Sequence, residues 1–404
     1  MMSTPQGKRT GIYIHIPFCA SRCQYCDFCS SAGRDDLIPA YEEALLSHIR
    51  EFAPHLDNHL IDTVYFGGGT PSWYGAKNLV KLLDELKKSC HVLIDSEITL
   101  EANPDSVSLK ELKLLLHEGF NRISIGAQSA NNAILSFLGR RHTWEQAQQA
   151  VHTAGEAGFE NISLDLMYGL PAQSREDWSD TLSQALKLGC RHLSCYGLKI
   201  EEGTPLFKYK GSPNIPDDDM QADMYLYAAD MLAAAGYIQY EISNFAQRGF
   251  ESKHNLKYWL LNEYVGFGAS AASLFGGQRF TCTSDIDGYI SAVKNGDSFL
   301  SELEDVSLYE QSSEYIMLGM RTTRGIEGRE YESRYQNSFK PLEELLEGYV
   351  KMGLSKQVDG RWRLTPRGFL ISNRLIGELL DAQAEQKFHV GMPWRKEDYY
   401  GTLY

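Results

Sequence analysis

Residues 11–29 read GIYIHIPFCASRCQYCDFC. An apolar, β-branched run (11–17) leads directly into four cysteines within eleven positions: Cys19, Cys23, Cys26 and Cys29. The run reads as a strand and the cysteines as the loop at its C-terminal end. Working outward, five similar runs follow: TVYFGGG (63–69), EITLEAN (97–103), RISIGAQ (122–128), NISLDLMYG (161–169) and HLSCYGLKIE (192–201). Helical patterns lie between them. Ile38, Tyr41, Leu45, Ile49 and Phe52 form one stripe at spacings of three and four, and Leu79, Leu82, Leu83 and Leu86 form another. Strand alternating with helix implies βαβ units on a parallel sheet. Six units are fewer than the eight of a complete barrel, which leaves an open barrel or a doubly wound sheet.

Each run ends in glycine or in a residue with a reactive head: Gly67 to Gly69, Glu101, Gln128, Asp165. In both architectures the C-terminal strand ends build the site, so these groups are expected to meet the cysteine loop at one face. Any one of them could simply begin a loop; the succession argues for a shared site.

Bulk composition narrows the function. With Lys+Arg 39 against Asp+Glu 53 the net charge is −14, which argues against a broad nucleic-acid footprint. No uncharged apolar run approaches the ~20 residues of a membrane span, and MMSTPQGKRT lacks the apolar core of a signal peptide. A cytoplasmic protein is expected. Eight cysteines in 404 residues are too few for a disulfide scaffold, and half sit in one loop. In a reducing compartment such a cluster points to metal or redox chemistry. Cys90, Cys190, Cys195 and Cys282 read as small apolar side chains.

Cys19-x3-Cys23-x2-Cys26 can present three thiolates from one tight loop. A structural zinc site would need a second Cys or His pair further along, and none follows at that spacing. Closed ferredoxin clusters use other spacings. Three ligands on a four-iron cluster leave one iron open to a small molecule.

In this form, CASRCQYC after a strand resembles the signature of the radical S-adenosylmethionine (SAM) superfamily. The resemblance implies a [4Fe-4S] cluster on Cys19, Cys23 and Cys26, with SAM on the fourth iron and Tyr25 beside its adenine. GGGTPS, EANP, GAQS, LGRRH and DLMYGLP then follow in the order found in the oxygen-independent coproporphyrinogen III oxidases (HemN) and the HemW-type heme chaperones. By that resemblance Tyr13, Gly68, Gly69, Thr70, Glu101, Gln128, Arg140 and Asp165 contact SAM. The chemistry suits these roles, since arginine pairs with a carboxylate and carboxylates accept from ribose hydroxyls. Read without the motif, Arg140 is an ordinary cation at a helix end.

Three features place the chain nearer HemW than HemN. The HemN pattern is CxxxCxxCxC, whereas Asp27 and Phe28 here separate Cys26 from Cys29. Only ten residues precede the first strand run. HNLKYW (254–259) matches the HNxxYW motif associated with heme in the HemW group. In a helix His254 and Tyr258 share a face. Taken alone they read as a satisfied core histidine beside aromatics; the resemblance makes them heme ligands. His15, His142 and His192 could likewise be ligands or core residues, and Cys29 could reach a heme or stand aside.

The resemblance implies an α/β fold, an incomplete (β/α)6 radical-SAM barrel with a C-terminal helical, winged-helix-like domain. Its expected divisions are a core at 1–240, a barrel extension carrying HNxxYW at 241–304, and a HemN-like helical/winged-helix domain with the tail at 305–404. The winged-helix reading rests on helices from about Val306 and a hairpin in LSKQVDGRWRLTPRG turning at Asp359-Gly360. KYKGSPNIPDDDMQ (208–221) reads as a surface loop before a helix from Asp218 to Ala235, and YIQYEISNFA (237–246) as one further strand. The tail KFHVGMPWRKEDYYGTLY matches no pattern and reads as a docked terminus.

The expected function is a heme chaperone that binds heme and transfers it to acceptor proteins, some at the membrane, where the protein would sit peripherally. An electron donor such as flavodoxin or ferredoxin would serve radical chemistry, and nucleic acid is not an expected partner. The alternative is a radical SAM coproporphyrinogen III oxidase that decarboxylates propionates. Radical opening of the heme ring is a third option that no residue selects.

Overall fold

The computed structural model describes residues 7–389. The six runs form six consecutive strands: β1 (Lys8–Ile16), β2 (His59–Gly68), β3 (Val92–Ala102), β4 (Arg122–Gln128), β5 (Asn161–Tyr168) and β6 (His192–Gly197). Each pairs in parallel with the next. The main connecting helices are α1 (Ile38–Phe52), α2 (Ala76–Ser89), α3 (Leu109–His117), α4 (Asn132–Phe137), α5 (Trp144–Ala157) and α6 (Arg175–Lys187). After α7 (Asp218–Ala234), β7 (Ile238–Gln239) pairs antiparallel with β8 (Asn244–Ala246), which itself adds antiparallel to β6. On the other side β9 (Tyr264–Phe267), which follows α8 (Lys253–Trp259), lies parallel to β1. It continues into antiparallel β10 (Ala272–Phe275), β11 (Gln278–Cys282) and β12 (Leu300–Asp305). The result is one 12-stranded sheet whose ends do not pair, an open barrel.

The strands alternate in an uncommon sense. Ile12, Ile14, Ile16, Val64, Phe66, Ile98, Leu100, Ile123, Ile125, Leu164 and Leu166 pack outward with Tyr41, Leu45, Leu79, Leu83 and Trp178 of the helices. The intervening residues are polar or aromatic: Tyr13 and His15, Thr63 and Tyr65, Glu97, Thr99 and Glu101, Arg122 and Ser124, Ser163 and Asp165, His192 and Ser194. Successive strand residues point to opposite faces, so these line the concave side. The core thus lies between sheet and helices, and the barrel interior is a polar chamber.

A second core is built from α10 (Leu308–Gly319), β13 (Ile326–Glu327), α11 (Gly328–Tyr335), α12 (Lys340–Lys351), the hairpin β14 (Ser355–Val358) to β15 (Arg361–Leu364), and α13 (Ser372–His389). The short helix α9 (Ile286–Asn295) instead packs into the first core through Ile286, Tyr289 and Val293. Ile316, Tyr331, Leu342, Leu346, Trp362 and Leu375 fill this second core, which meets Tyr225 of α7. Asp359 and Gly360 both have positive φ (51° and 77°), as a two-residue turn of type I′ requires.

One expectation is corrected. Residues 237–246 form two short strands, not one. Glu241 bridges to Thr322, and the Ile242 amide donates to Arg321 O at 2.9 Å. Backbone groups that would have continued the strand pair with the C-terminal unit instead. Of the unassigned tail, residues 390–404 lie outside the described residues. No helix among the described residues is long and apolar enough to cross a membrane.

Candidate functional site

The cysteine loop is pinned where it leaves and rejoins the barrel. Phe18–Cys19 pairs with Ser31–Ala32. Gly69 N and Thr70 N donate to Ile16 O and Phe18 O at 2.8 and 2.9 Å, and His15 Nε2 lies 2.8 Å from Cys29 O. The middle of the loop is held by Gln24, whose amide donates to Leu138 O and whose carbonyl accepts from Leu206 N. The two central glycines are required by space. A Cβ on Gly69 would lie 2.9 Å from Cys19 Sγ and from the carbonyls of Ile16 and Phe18; one on Gly68, at φ 111°, would enter the His15 ring.

The four thiols fall into two groups. Thr70 Oγ1 donates to Cys19 Sγ at 3.4 Å, Arg140 Nη1 to Cys23 Sγ at 3.5 Å, and Cys26 Sγ lies 3.9 Å from Ser30 Oγ. Burial raises the Cys19 pKa, and the neighbouring Cys26 and Cys23 raise it further. Cys29 instead donates to Ser284 O at 3.5 Å; burial raises its pKa, countered by Ser270 and Arg22. Among the described residues no three His, Cys, Asp or Glu side chains converge on a single ion position.

Cys19 and Cys23 are joined by a chain of polar contacts. From Thr70 Oγ1, which donates to Cys19, the chain runs to Asn103 Nδ2 at 3.2 Å, and Asn103 Oδ1 accepts from Arg140 Nη2 at 2.8 Å. Arg140 Nη2 also donates to Gly126 O at 2.6 Å, while its buried Nε has no partner. Gln128, buried and at φ 67°, likewise has an unpaired Oε1. The Tyr25 ring joins Leu138 and Leu206, and its hydroxyl lies by Arg140.

The two carboxylates stand behind this layer. Glu101 Oε1 accepts from Tyr65 OH at 2.7 Å and Oε2 from Gly68 N at 3.1 Å; burial, helped by Asp165, pushes its pKa up to about 7. Asp165 accepts from Ser124 at 3.0 Å and Ser163 at 3.4 Å, yet burial still raises its pKa. Tyr13 OH lies 3.1 Å from His15 Nδ1. The residues expected at a cluster and SAM site therefore gather at the C-terminal strand ends. The unpaired Gln128 and Arg140 atoms fit a polar ligand held next to the thiols.

His254 and Tyr258 lie below this layer, against Tyr13 and Tyr65 rather than beside the thiols. Their helix α8 closes the other end of the barrel, beside Thr63, five residues before Gly68 on β2 and so roughly 16 Å away along the strand. His254 Nδ1 lies 2.8 Å from Thr63 Oγ1 and Nε2 lies 2.8 Å from Tyr258 OH. The ring stacks on Tyr65 and Tyr13 at 5.2 and 6.4 Å, and burial lowers its pKa to about 3. In this conformation the expected heme ligands form a satisfied triad with Thr63, in which Thr63 and His254 are buried and Tyr258 is half-buried. His192 is held similarly by Ser163 and Tyr240, and His142 Nε2 lies 3.2 Å from Ala127 O.

Asn103, Tyr65, Glu97 and Arg122 were not singled out from the sequence. The last three could have been: they keep period-two phase with Gly67, Glu101 and Gln128, which places them on the same wall.

Comparison with known proteins gives the family. Residues 13–185 match the model of the radical SAM superfamily, and residues 306–371 match the HemN C-terminal domain. The chain is 36% identical to heme chaperone HemW of Bacillus subtilis, covering 91% of this chain and 98% of that one. It is 35% identical to heme chaperone HemW of Lactococcus lactis (92% and 98% covered) and 34% identical to that of Escherichia coli (90% and 96%). The solved coproporphyrinogen III oxidase HemN of E. coli, described as a radical SAM enzyme, superposes with a TM-score of 0.81 at 21% identity, covering 94% of this chain and 91% of that one. That likeness establishes the fold.

Proposed function

The chain belongs to the HemW family of radical SAM proteins, and from that premise we propose that it binds heme and passes it to acceptor proteins while carrying a [4Fe-4S] cluster and SAM. The observation that carries this reading is the near full-length match to proteins named heme chaperones, at 34–36% identity. Cys29, offset by three residues from Cys26 and turned to Ser284, agrees with it.

Cys19, Cys23 and Cys26 would hold the cluster, and Cys29 would stand outside it. When bound, the cluster and SAM supply one-electron reductive chemistry, fed by a donor of the flavodoxin or ferredoxin type. The chain's own residues bind and orient. Arg140, already fixed by Asn103 and Gly126, presents a guanidinium to a carboxylate. Glu101 and Asp165 offer acceptors for hydroxyl groups and negative charge beside a sulfonium. Gly68 and Gly69 let backbone approach closely, with Thr70 and Gln128 beside them, and Tyr25 and Tyr13 supply ring faces.

Heme ligation through His254, or through Tyr258, would require α8 to swing out and break the bonds to Thr63 and between the pair. Recipients at the membrane would be met peripherally from the cytoplasm.

The test separates chaperone from decarboxylase. Anaerobic incubation of cluster-loaded protein with SAM, reductant and coproporphyrinogen III should give no protoporphyrinogen, while heme-loaded protein should transfer its heme to a heme-free acceptor. Protoporphyrinogen formation would overturn the reading in favour of the oxidase.

A further inference from the structure

Arg122 is 1% exposed, and its Nε and Nη1 have no hydrogen-bond partner. It stands on the polar wall of β4, paired across the sheet with Thr99 and Asn161 and two residues before Ser124, which binds Asp165. The charges of Glu97 and Asp165 act on it from the same wall, but it forms no ion pair with either. Glu97 is buried, and its two oxygens accept from Lys253 N and His254 N at 3.1 and 3.0 Å. It therefore caps the first turn of α8, where a carboxylate complements the free amides. A second connection runs through Tyr65, which stacks on His254 and donates to Glu101. The floor helix is thus linked to Glu101 through the Tyr65 ring and hydroxyl.

We propose that Tyr65 is a positioning residue that, beside the buried Arg122 charge, couples helix α8 to the SAM end of the barrel, so that SAM occupancy and opening of α8 change together. This rests on the reading that Glu101 and Asp165 bind SAM. Filling that end fixes Glu101, which holds Tyr65, which in turn holds His254. SAM then favours the closed helix, and any ligand that needs His254 released competes with it by the same factor in both directions.

Hydrogen–deuterium exchange on cluster-loaded protein tests this at the peptide spanning 253–259. In the wild type, saturating SAM should slow exchange of that peptide by about fivefold or more. In Tyr65→Phe, which keeps the ring and loses the hydroxyl, the slowing should shrink at saturating SAM, with iron content retained; undiminished slowing there overturns the route through Tyr65. Wild-type protein that binds SAM in equilibrium dialysis but shows unchanged exchange at 253–259 overturns the coupling. Cluster-loaded protein that fails to bind SAM overturns the underlying site assignment instead.

Discussion

Arg140 and Asn103 meet at 2.8 Å, and that bond closes a chain of contacts running from Cys23 through Arg140, Asn103 and Thr70 to Cys19. Asn103 sits in the middle and binds no thiol itself. Asn103→Ala should leave Arg140 and Thr70 each short of a partner, at a cost of about 1–3 kcal/mol for the buried groups. Reconstituted variant should lose iron faster than wild type in anaerobic chelator challenge. Equal loss rates would show that the chain does not support the loop.

Gly69 has no room for a side chain, because two of the three atoms nearest its absent Cβ are backbone carbonyls. Gly69→Ala must displace the strand-to-loop junction that carries Cys19. Iron content should fall well below wild type and unfolding free energy by about 1–3 kcal/mol. Gly75→Ala is a useful contrast: its φ of 97° strains an added side chain, but no atom lies within 4 Å, so stability should drop with iron retained.

The thiols should divide three to one. Cys19→Ala, Cys23→Ala and Cys26→Ala should each abolish the cluster's visible absorption, while Cys29→Ala keeps about four irons per chain. Iron and sulfide analysis after anaerobic reconstitution checks this. Loss of the cluster in Cys29→Ala would contradict it.

Stability should fall in mild acid through buried imidazoles. His48 Nδ1 lies 2.9 Å from Tyr289 OH, and burial lowers its pKa to about 3. The folded chain keeps it neutral, whereas the unfolded chain takes up a proton near the free value of about 6.5. Its contribution is therefore complete above that value and lost as pH falls from it towards 3, at about 1.4 kcal/mol per pH unit. Urea unfolding between pH 7 and 5 should show a flatter decline in His48→Gln than in wild type. Glu101 and Glu241, whose pKa values burial raises to about 7, tilt the absolute profile the other way. The difference between the two proteins isolates His48, and parallel profiles would contradict the assignment.

Much of this architecture was legible because it is local. Six apolar runs became six strands, the α1 stripe of Tyr41, Leu45 and Ile49 is fully buried, and the Asp359-Gly360 turn sits where its residues demand. The cysteine loop and glycine triplet were legible for the same reason. What stayed hidden depends on partners distant in sequence. Thr63 lies 191 residues before His254 and Glu97 lies 157 residues before it, so no spacing within HNLKYW shows that the motif plugs the barrel floor. Residues 237–246 divided because residues 321–323 compete for their backbone. The polar chamber itself was available in the two-residue alternation of the strands.

The most direct test of the central claim is anaerobic titration of cluster-loaded protein with heme, followed at the Soret band. A saturable complex of one heme per chain, weakened in His254→Ala with the cluster intact, is the expected result. Spectra indistinguishable from heme in buffer throughout the titration would contradict the claim that this chain carries heme.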